Sequence, residues 1–348
     1  MIKKIWYNFL KAYFHIGFSF YYKKIIVKGK KNIPKNKAVL FVANHPNALI
    51  DPLLVAVTDD RNTHYLTRAS VFNNPFIKKI LFSVNMIPVF RFRDGISNEK
   101  LKLENEKIFE YCYDLLIKEQ AILIFAEGSH NIQRRIRPFR KGFARIVFGA
   151  FDKEKSIEID IVPVGLNYTK PEAYASSVSI IYGKPIAVKP YWEMENRNEA
   201  TKQITVKVSE ELKKITNHIE DIGNYDKIVN QFETDEFLDP VKVNKKLEGI
   251  DPNTSLTYIP EPKNKFNPLL FLVKLNSLIP LLIWNFIQPK IDEKEFISTF
   301  KFTVGITAFP IFYFIQKGIV TYFFGDTIGW AYLILSFASV FVLTKTKK

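Results

Sequence analysis

Histidine and aspartate six residues apart mark the most informative stretch of the chain, N-H-P-N-A-L-I-D-P at residues 44–52, directly after an apolar run. A neutral imidazole takes a proton from an alcohol when one ring nitrogen is open and the other is held. A carboxylate does the holding and steadies the imidazolium that forms. His45 and Asp51 are therefore candidates for base and partner. On one unbroken helix, six positions turn the side chains by about 600° and leave them about 240° apart. The chain must break between them. Pro46 biases the residue before it toward extended structure, and Asn47 is a good helix cap. The expectation is a loop histidine at a helix start, with Asp51 behind it.

Three further stretches carry chemistry. M-I-P-V-F-R (86–91) ends in Arg91, with Arg93 close by. An arginine there suits a phosphate, which it grips through two parallel hydrogen bonds. I-F-A-E-G-S-H (124–130) runs an apolar segment into Glu127, Gly128 and Ser129. Gly128 lets backbone amides approach a ligand, and Glu127 has two readings, binding hydroxyls or orienting the arginine. Q-R-R-I-R-P-F-R-K-G (133–142) is a dense basic loop containing Arg140 and Lys141, suited to phosphates and equally readable as a solvated turn. I-V-P-V-G-L (161–166) places Pro163 at a strand end, where it shapes a wall.

These stretches need a scaffold that collects strand ends. Short apolar runs predict strands at 38–43, 64–68, 86–90, 121–125, 157–164 and 178–182. Helical patterns fall between them at about 52–58, 75–83, 97–119 and 139–152. A closing helix at 196–217 has Val206, Val208, Leu212 and Ile215 as its stripe. Alternating strands and helices predict an α/β fold, a largely parallel twisted sheet flanked by helices. In such sheets, ligands bind at the carboxyl ends of the strands.

The four blocks in this order resemble the glycerol-phosphate and lysophosphatidate (1-acylglycerol-3-phosphate) acyltransferase family, over roughly residues 27–215. That family carries N-H-x4-D, a block ending in a phosphate-binding arginine, F-P-E-G-T/S and V-P-V. The resemblance implies that His45 is the base, Asp51 its partner, and Arg91, Glu127 and Gly128 the acceptor-binding set, with Ser129 in the E-G-S turn. Arg140, Lys141 and Gly142 match a basic-Gly element. The implied reaction moves a fatty acyl group from acyl-CoA or acyl carrier protein to 1-acylglycerol-3-phosphate or glycerol-3-phosphate. An acceptor without phosphate, such as an amino lipid, is the alternative. The departures bear on the acceptor more than on the reaction: His45 and Asp51 are one residue further apart than usual, Ala126 replaces proline, and His130 stands where many members are basic.

Outside this core the chain changes character. Residues 1–26 mix Trp6, Tyr7, Phe9, Leu10, Phe14, Ile16 and Phe18 with lysines, which predicts an interfacial helix, a helix packed on the domain being the alternative. Residues 27–34 read as a connector, 27–217 as the acyltransferase domain and 218–266 as a polar, partly helical linker. Apolar stretches at about 267–288, 300–324 and 327–344 predict a membrane region over 267–348. The second and third form a hairpin about the Gly325-Asp326 turn, and the first is interfacial or re-entrant. Lysines at 290, 294, 301, 345, 347 and 348 flank the hairpin and predict both its ends, and the active site, on the cytoplasmic side.

Composition agrees with a globular, membrane-associated chain. Of 348 residues 47% are hydrophobic and 24% charged, which excludes wholesale disorder. The net charge of +15 draws polyanions, but no nucleic-acid motif is recognisable. Cys112 is the single cysteine, so no intrachain disulfide forms, and it reads as core packing. Neither a metal nor a cofactor is implied, since His45, Asp51 and Glu127 do not make a recognisable ligand array.

Overall fold

The structure, a computed structural model, describes residues 2–91, 95, 97–250 and 267–346. The chain opens with helix α1 (Ile2–Tyr21) and strand β1 (Lys24–Lys28). Then come β2 (Ala38–Ala43), α2 (Ile50–Thr58), β3 (Thr63–Arg68), α3 (Pro75–Ser83) and β4 (Met86–Val89). Next are α4 (Asn98–Ile117), β5 (Ala121–Ile124), α5 (Gly142–Lys153), β6 (Ile159–Tyr168), β7 (Ser177–Tyr182) and β8 (Ile186–Ala187). The short α6 (Lys189–Trp192) precedes α7 (Arg197–Lys214), α8 (Tyr225–Val229) and α9 (Pro240–Leu247). The C-terminal region holds α10 (Pro268–Asn276), α11 (Leu278–Ile287), α12 (Ile297–Phe324) and α13 (Asp326–Thr346).

The strands form one sheet in the order β1-β7-β6-β2-β5-β3-β4, with β8 beside β6. From β6 to β4 all pairings are parallel; β7 and β8 run antiparallel to β6. Side chains alternate through β2. Ala38, Leu40 and Val42 enter the core beneath α4, α5 and α7, while Val39, Phe41 and Ala43 enter the core beneath α1 and α2. The parallel block brings the carboxyl ends of β2, β3, β4, β5 and β6 to one edge.

Several elements depart from the sequence reading. Helix α1 ends at Tyr21, and the last residues of the expected N-terminal helix region with the first two of the connector are β1, a five-residue β-branched run closed by lysines and paired with β7. It is an edge strand, and terminal lysines there deter pairing with another chain. Strand β6 runs four residues beyond Val164, through Gly165 and Asn167, which read locally as turn residues. The buried stripe of α7 is Ala200, Ile204, Val208 and Leu212, and Val206 is exposed. An i, i+4 ladder is the face of a real helix, and Val206 falls off it. Residues 218–250 carry α8 and α9 around a small core of Ile219, Ile228, Phe232, Phe237 and Val243. Arg134 fastens this unit down by stacking on Phe237 at 3.8 Å and taking Tyr225 Oη onto its backbone N–H. The remainder of the expected linker, 251–266, lies outside the described residues, as does Arg93.

Helices α10 and α11 are bent by 84° at Ser277, and α12 and α13 are each long and apolar enough to cross a membrane. Gly325, at φ 86°, turns the chain between them. Lys317 reaches that turn, 3.5 Å from Asp326 and over the Trp330 ring.

Gly165 controls how closely α7 approaches β6. A Cβ there would stand 2.2 Å from the carbonyl oxygen of Ile215, a backbone atom that cannot swing away. Gly165→Ala is expected to destabilise the fold by about 1–3 kcal/mol, the usual cost of overpacking. Gly305→Ala, where nothing lies within 4 Å, is the matched control without loss. Thermal unfolding in detergent checks both.

Candidate active site

The break predicted between His45 and Asp51 is present. After β2 the chain leaves as a loop, Ala48 takes a φ of 27°, and α2 starts at Ile50. His45 thus precedes the helix and Asp51 sits in its first turn. Nδ1 of His45 lies 2.8 Å from Oδ2 of Asp51. The same oxygen accepts the Asn47 backbone N–H at 2.7 Å, and Oδ1 accepts the Tyr168 hydroxyl at 2.5 Å. Asp51 is fully buried, so these three donors replace its water. An acceptor on Nδ1 assigns the ring proton to that atom and leaves Nε2 as the basic nitrogen. No group among the described residues hydrogen-bonds Nε2, and the side chain keeps 15% of its surface exposed.

The imidazole is held on its face as well as its edge. Phe125, just past β5, stacks on it at 3.6 Å with planes 10° apart. The His45 carbonyl accepts Asn131 N–H at 2.9 Å, tying the loop after β2 to the loop after β5. Burial, and then the Asp51 charge, push the Tyr168 phenol well above its ordinary pKa, so it stays a donor.

Beside this pair lies the cationic group. Glu127 is buried and pairs with Arg137, Oε2 to Nε, at 2.5 Å. Burial raises its pKa to about 7, against the opposing pull of Arg137. Arg137 also donates to the hydroxyl of Ser129 at 2.9 Å and to its carbonyl. Arg91 follows β4, where Asn105 of α4 clips the Phe90 backbone from both sides. Its Nη1 reaches the Gly128 carbonyl at 3.3 Å. Gly128 has a φ of 75°, which favours glycine. A side chain there would also press on Arg140, 3.2 Å away. Arg140 closes the turn by donating its N–H to the Ala126 carbonyl, and exposed Lys141 immediately precedes α5.

The structure therefore gathers His45, Asp51, Arg91, Glu127, Gly128, Ser129 and Arg140 at one sheet edge. Lys141 lies at the margin. Two residues important to the geometry were not singled out from sequence. Arg137 was one of several arginines in the basic loop. Tyr168 lay beyond the expected end of β6.

The C-terminal region also reaches this edge. Phe296, just before α12, stands edge-on to His130 at 5.1 Å and beneath Arg68 at 5.0 Å. His130 is 5.7 Å from the His45 ring, centre to centre, and has Glu293 3.2 Å from Nε2 and Glu295 4.0 Å from Nδ1. Burial, then the nearby His45, lower the pKa of His130, while the two glutamates oppose. These three side chains offer ligand atoms within 4.8 Å of one another, the spacing of a metal group. Each carboxylate instead faces one ring nitrogen, and Glu293 is half exposed.

Residues 24–167 match the protein family described as Acyltransferase. The chain is 26% identical over 236 residues to "Glycerol-3-phosphate O-acyltransferase 2" of Saccharomyces cerevisiae, an alignment covering 65% of this chain and 30% of that protein. It is 32% identical over 119 residues to "1-acyl-sn-glycerol-3-phosphate acyltransferase" of Borreliella burgdorferi, covering 34% of this chain and 44% of the relative. Both matches span less than half of the relative's own length. A crystal structure of the 1-acyl-sn-glycerophosphate (LPA) acyltransferase PlsC from Thermotoga maritima superposes with a TM-score of 0.44 at 18% identity, covering 61% of this chain and 81% of that one. Residues 24–167 thus carry the match to the Acyltransferase family, and the curated relatives that the chain resembles are a glycerol-3-phosphate and a 1-acyl-sn-glycerol-3-phosphate acyltransferase.

Proposed function

We propose that the protein transfers a fatty acyl group from a thioester donor, acyl-CoA or acyl carrier protein, to the hydroxyl of 1-acylglycerol-3-phosphate or glycerol-3-phosphate, in phospholipid synthesis. The observation that carries this reading is the imidazole of His45. It is buttressed on Nδ1 by a buried carboxylate and carries no protein partner on Nε2 among the described residues. Nε2 takes the proton of the acceptor hydroxyl as its oxygen attacks the thioester carbonyl. The tetrahedral intermediate collapses, the carbon–sulfur bond breaks, and the same nitrogen returns the proton to the thiolate. Asp51 steadies the transient imidazolium. Attack is direct, and neither a serine nor Cys112 is acylated.

Arg91 and Arg140 supply positive charge for the acceptor phosphate. Glu127 holds Arg137 across the turn at Gly128 and Ser129, so Arg137 shapes the cradle from below. Helices α12 and α13 form a hairpin in the membrane, with α1 on its surface. The lysines around both hairpin ends favour a catalytic domain on the cytoplasmic side.

Membranes bearing the protein, offered each acceptor with each donor in parallel, test the substrate assignment. Acylation of neither phosphate acceptor with either donor would reject it. His45→Ala is expected to lower turnover by about 10²–10⁴-fold, the scale of a lost general base, and to lower the unfolding temperature as well, because it takes one donor from buried Asp51. Tyr168→Phe removes one hydrogen bond to a charged group and is expected to cost about tenfold or somewhat more in kcat, with both KM values held. Arg91→Ala is expected to raise the KM of a phosphate acceptor about tenfold, the loss of a charge-assisted contact, leaving the donor KM in place. A change confined to the donor KM would reassign that arginine.

A further inference from the structure

Helix α1 has two apolar faces. Tyr7, Phe14, Phe18 and Tyr21 pack inward, toward the sheet. Ile5, Trp6, Phe9, Tyr13 and Ile16 form an exposed stripe on another face, with Trp6, Phe9 and Tyr13 stacked in sequence. The stripe does not end with the helix. Nε1 of Trp6 donates to Oγ of Ser83, the last residue of α3, at 3.0 Å. On α3, Phe76, Ile80 and Ser83 follow i, i+4, i+7 spacing and share a face. Phe76 is 71% exposed and Ile80 43% exposed, with Lys78 and Lys79 exposed beside them. Large exposed apolar patches rimmed by polar groups mark interaction surfaces.

The level of this patch follows from how α1 is bolted to the hairpin. Phe18 stacks on Phe302 at 4.4 Å, and the Tyr13 hydroxyl donates to the Ile306 carbonyl. Phe20 meets Phe337 and Phe341 edge-on, and Thr344 donates to the Phe20 carbonyl. These partners fall in the first ten residues of α12 and the last ten of α13. From Ile306 to its end at Phe324, α12 rises about 27 Å, close to the roughly 30 Å of a bilayer's hydrocarbon core. If α12 and α13 span a bilayer, α1 crosses the hairpin on the side where its termini enter, and α3 is joined to α1 there through Ser83.

We propose that α3 is a second membrane-interface helix, and that α1 and α3 together form one apolar platform set into a lipid monolayer bearing anionic headgroups. Phe76 and Ile80 enter about 5–10 Å, to the boundary between headgroups and acyl chains. Lys78 and Lys79 meet the headgroup phosphates. The platform lies on the α1–α2 side of the sheet, opposite α4, α5 and α7. The proposal rests on the reading of α12 and α13 as a membrane hairpin and extends it to the catalytic domain itself.

Single-cysteine variants of the full chain test it, in a Cys112→Ser background. Phe76→Cys, Ile80→Cys, Lys202→Cys on exposed α7 and Ile315→Cys within α12 each take an environment-sensitive fluorophore. They are reconstituted into vesicles of phosphatidylcholine and phosphatidylglycerol. Lipids carrying a nitroxide high on the acyl chain are expected to quench the labels at 76 and 80 and to leave 202 unquenched. Lys79→Glu in the Phe76→Cys protein is expected to reduce that quenching in anionic vesicles. Labels at 76 and 80 that quench no more than 202 would overturn the proposal. If 315 is quenched in that case, the hairpin reading stands; if 315 also escapes, that reading falls too. A signal at 76 that responds to protein density and not to nitroxide lipid would mean that a second copy covers the patch, and would equally overturn it.

Discussion

A carboxylate with no exposed surface sits at the centre of this molecule. Asp51 has exchanged all its water for three donors drawn from separate places: an imidazole on the loop after β2, the backbone of Asn47, and a phenol at the far end of β6. A buried charge deprived of even one such partner is costly. Satisfying it therefore dictates that α2 start where it does, that the loop fold back through Ala48, and that β6 run on past the end of β2 to Tyr168. The position of the His45 ring is a consequence of these requirements, reinforced by the stacked Phe125.

The same network continues to the C-terminal apolar helices. The side-chain amide of Asn47 donates to the carbonyl of Pro171 at 2.9 Å, and the Ser298 hydroxyl donates to that same oxygen at 2.6 Å. Ser298 belongs to the first turn of α12 and accepts in turn from the Tyr21 hydroxyl of α1. Lys301 donates to the next carbonyl, Glu172. One short loop after β6 thus joins the His-x-Asn motif, the N-terminal helix and the first long apolar helix. Because these contacts are short and mostly buried, the loop carrying His45 has little freedom to shift relative to the hairpin.

Much of the architecture was legible from the chain. Strands β2, β3, β4, β5 and β7 fall where short β-branched or apolar runs put them, because each buries a continuous local pattern, and helix α3 falls where helical spacing puts it. What local pattern could not reveal was structure whose stability comes from elsewhere. Strand β1 is too short and too lysine-rich to stand out until β7 offers its edge. The extension of β6 through Gly165 and Asn167 exists because β7 pairs with it from Val164 to Tyr168, with Asn44 accepting the Leu166 N–H, Asn217 donating to Asn167 and Ile215 packed on Gly165. The small core at 219–243 is spread over five apolar residues in a polar stretch and is assembled partly by Arg134, eighty-five residues before Ile219.

For the site, residue types and spacing by themselves determined the His45–Asp51 pair, the break between its members, and a set of strand-end motifs with Arg91, Glu127 and Gly128 among them. Tertiary structure alone decided which arginine Glu127 holds, that Tyr168 is the third donor to Asp51, and that Glu293, Glu295 and Phe296 stand beside His130. The physical reason is range. Turn chemistry and strand periodicity act over a few residues and are written in the local sequence, whereas hydrogen-bond satisfaction of a buried charge is settled by whichever distant groups the folded sheet brings within 3 Å.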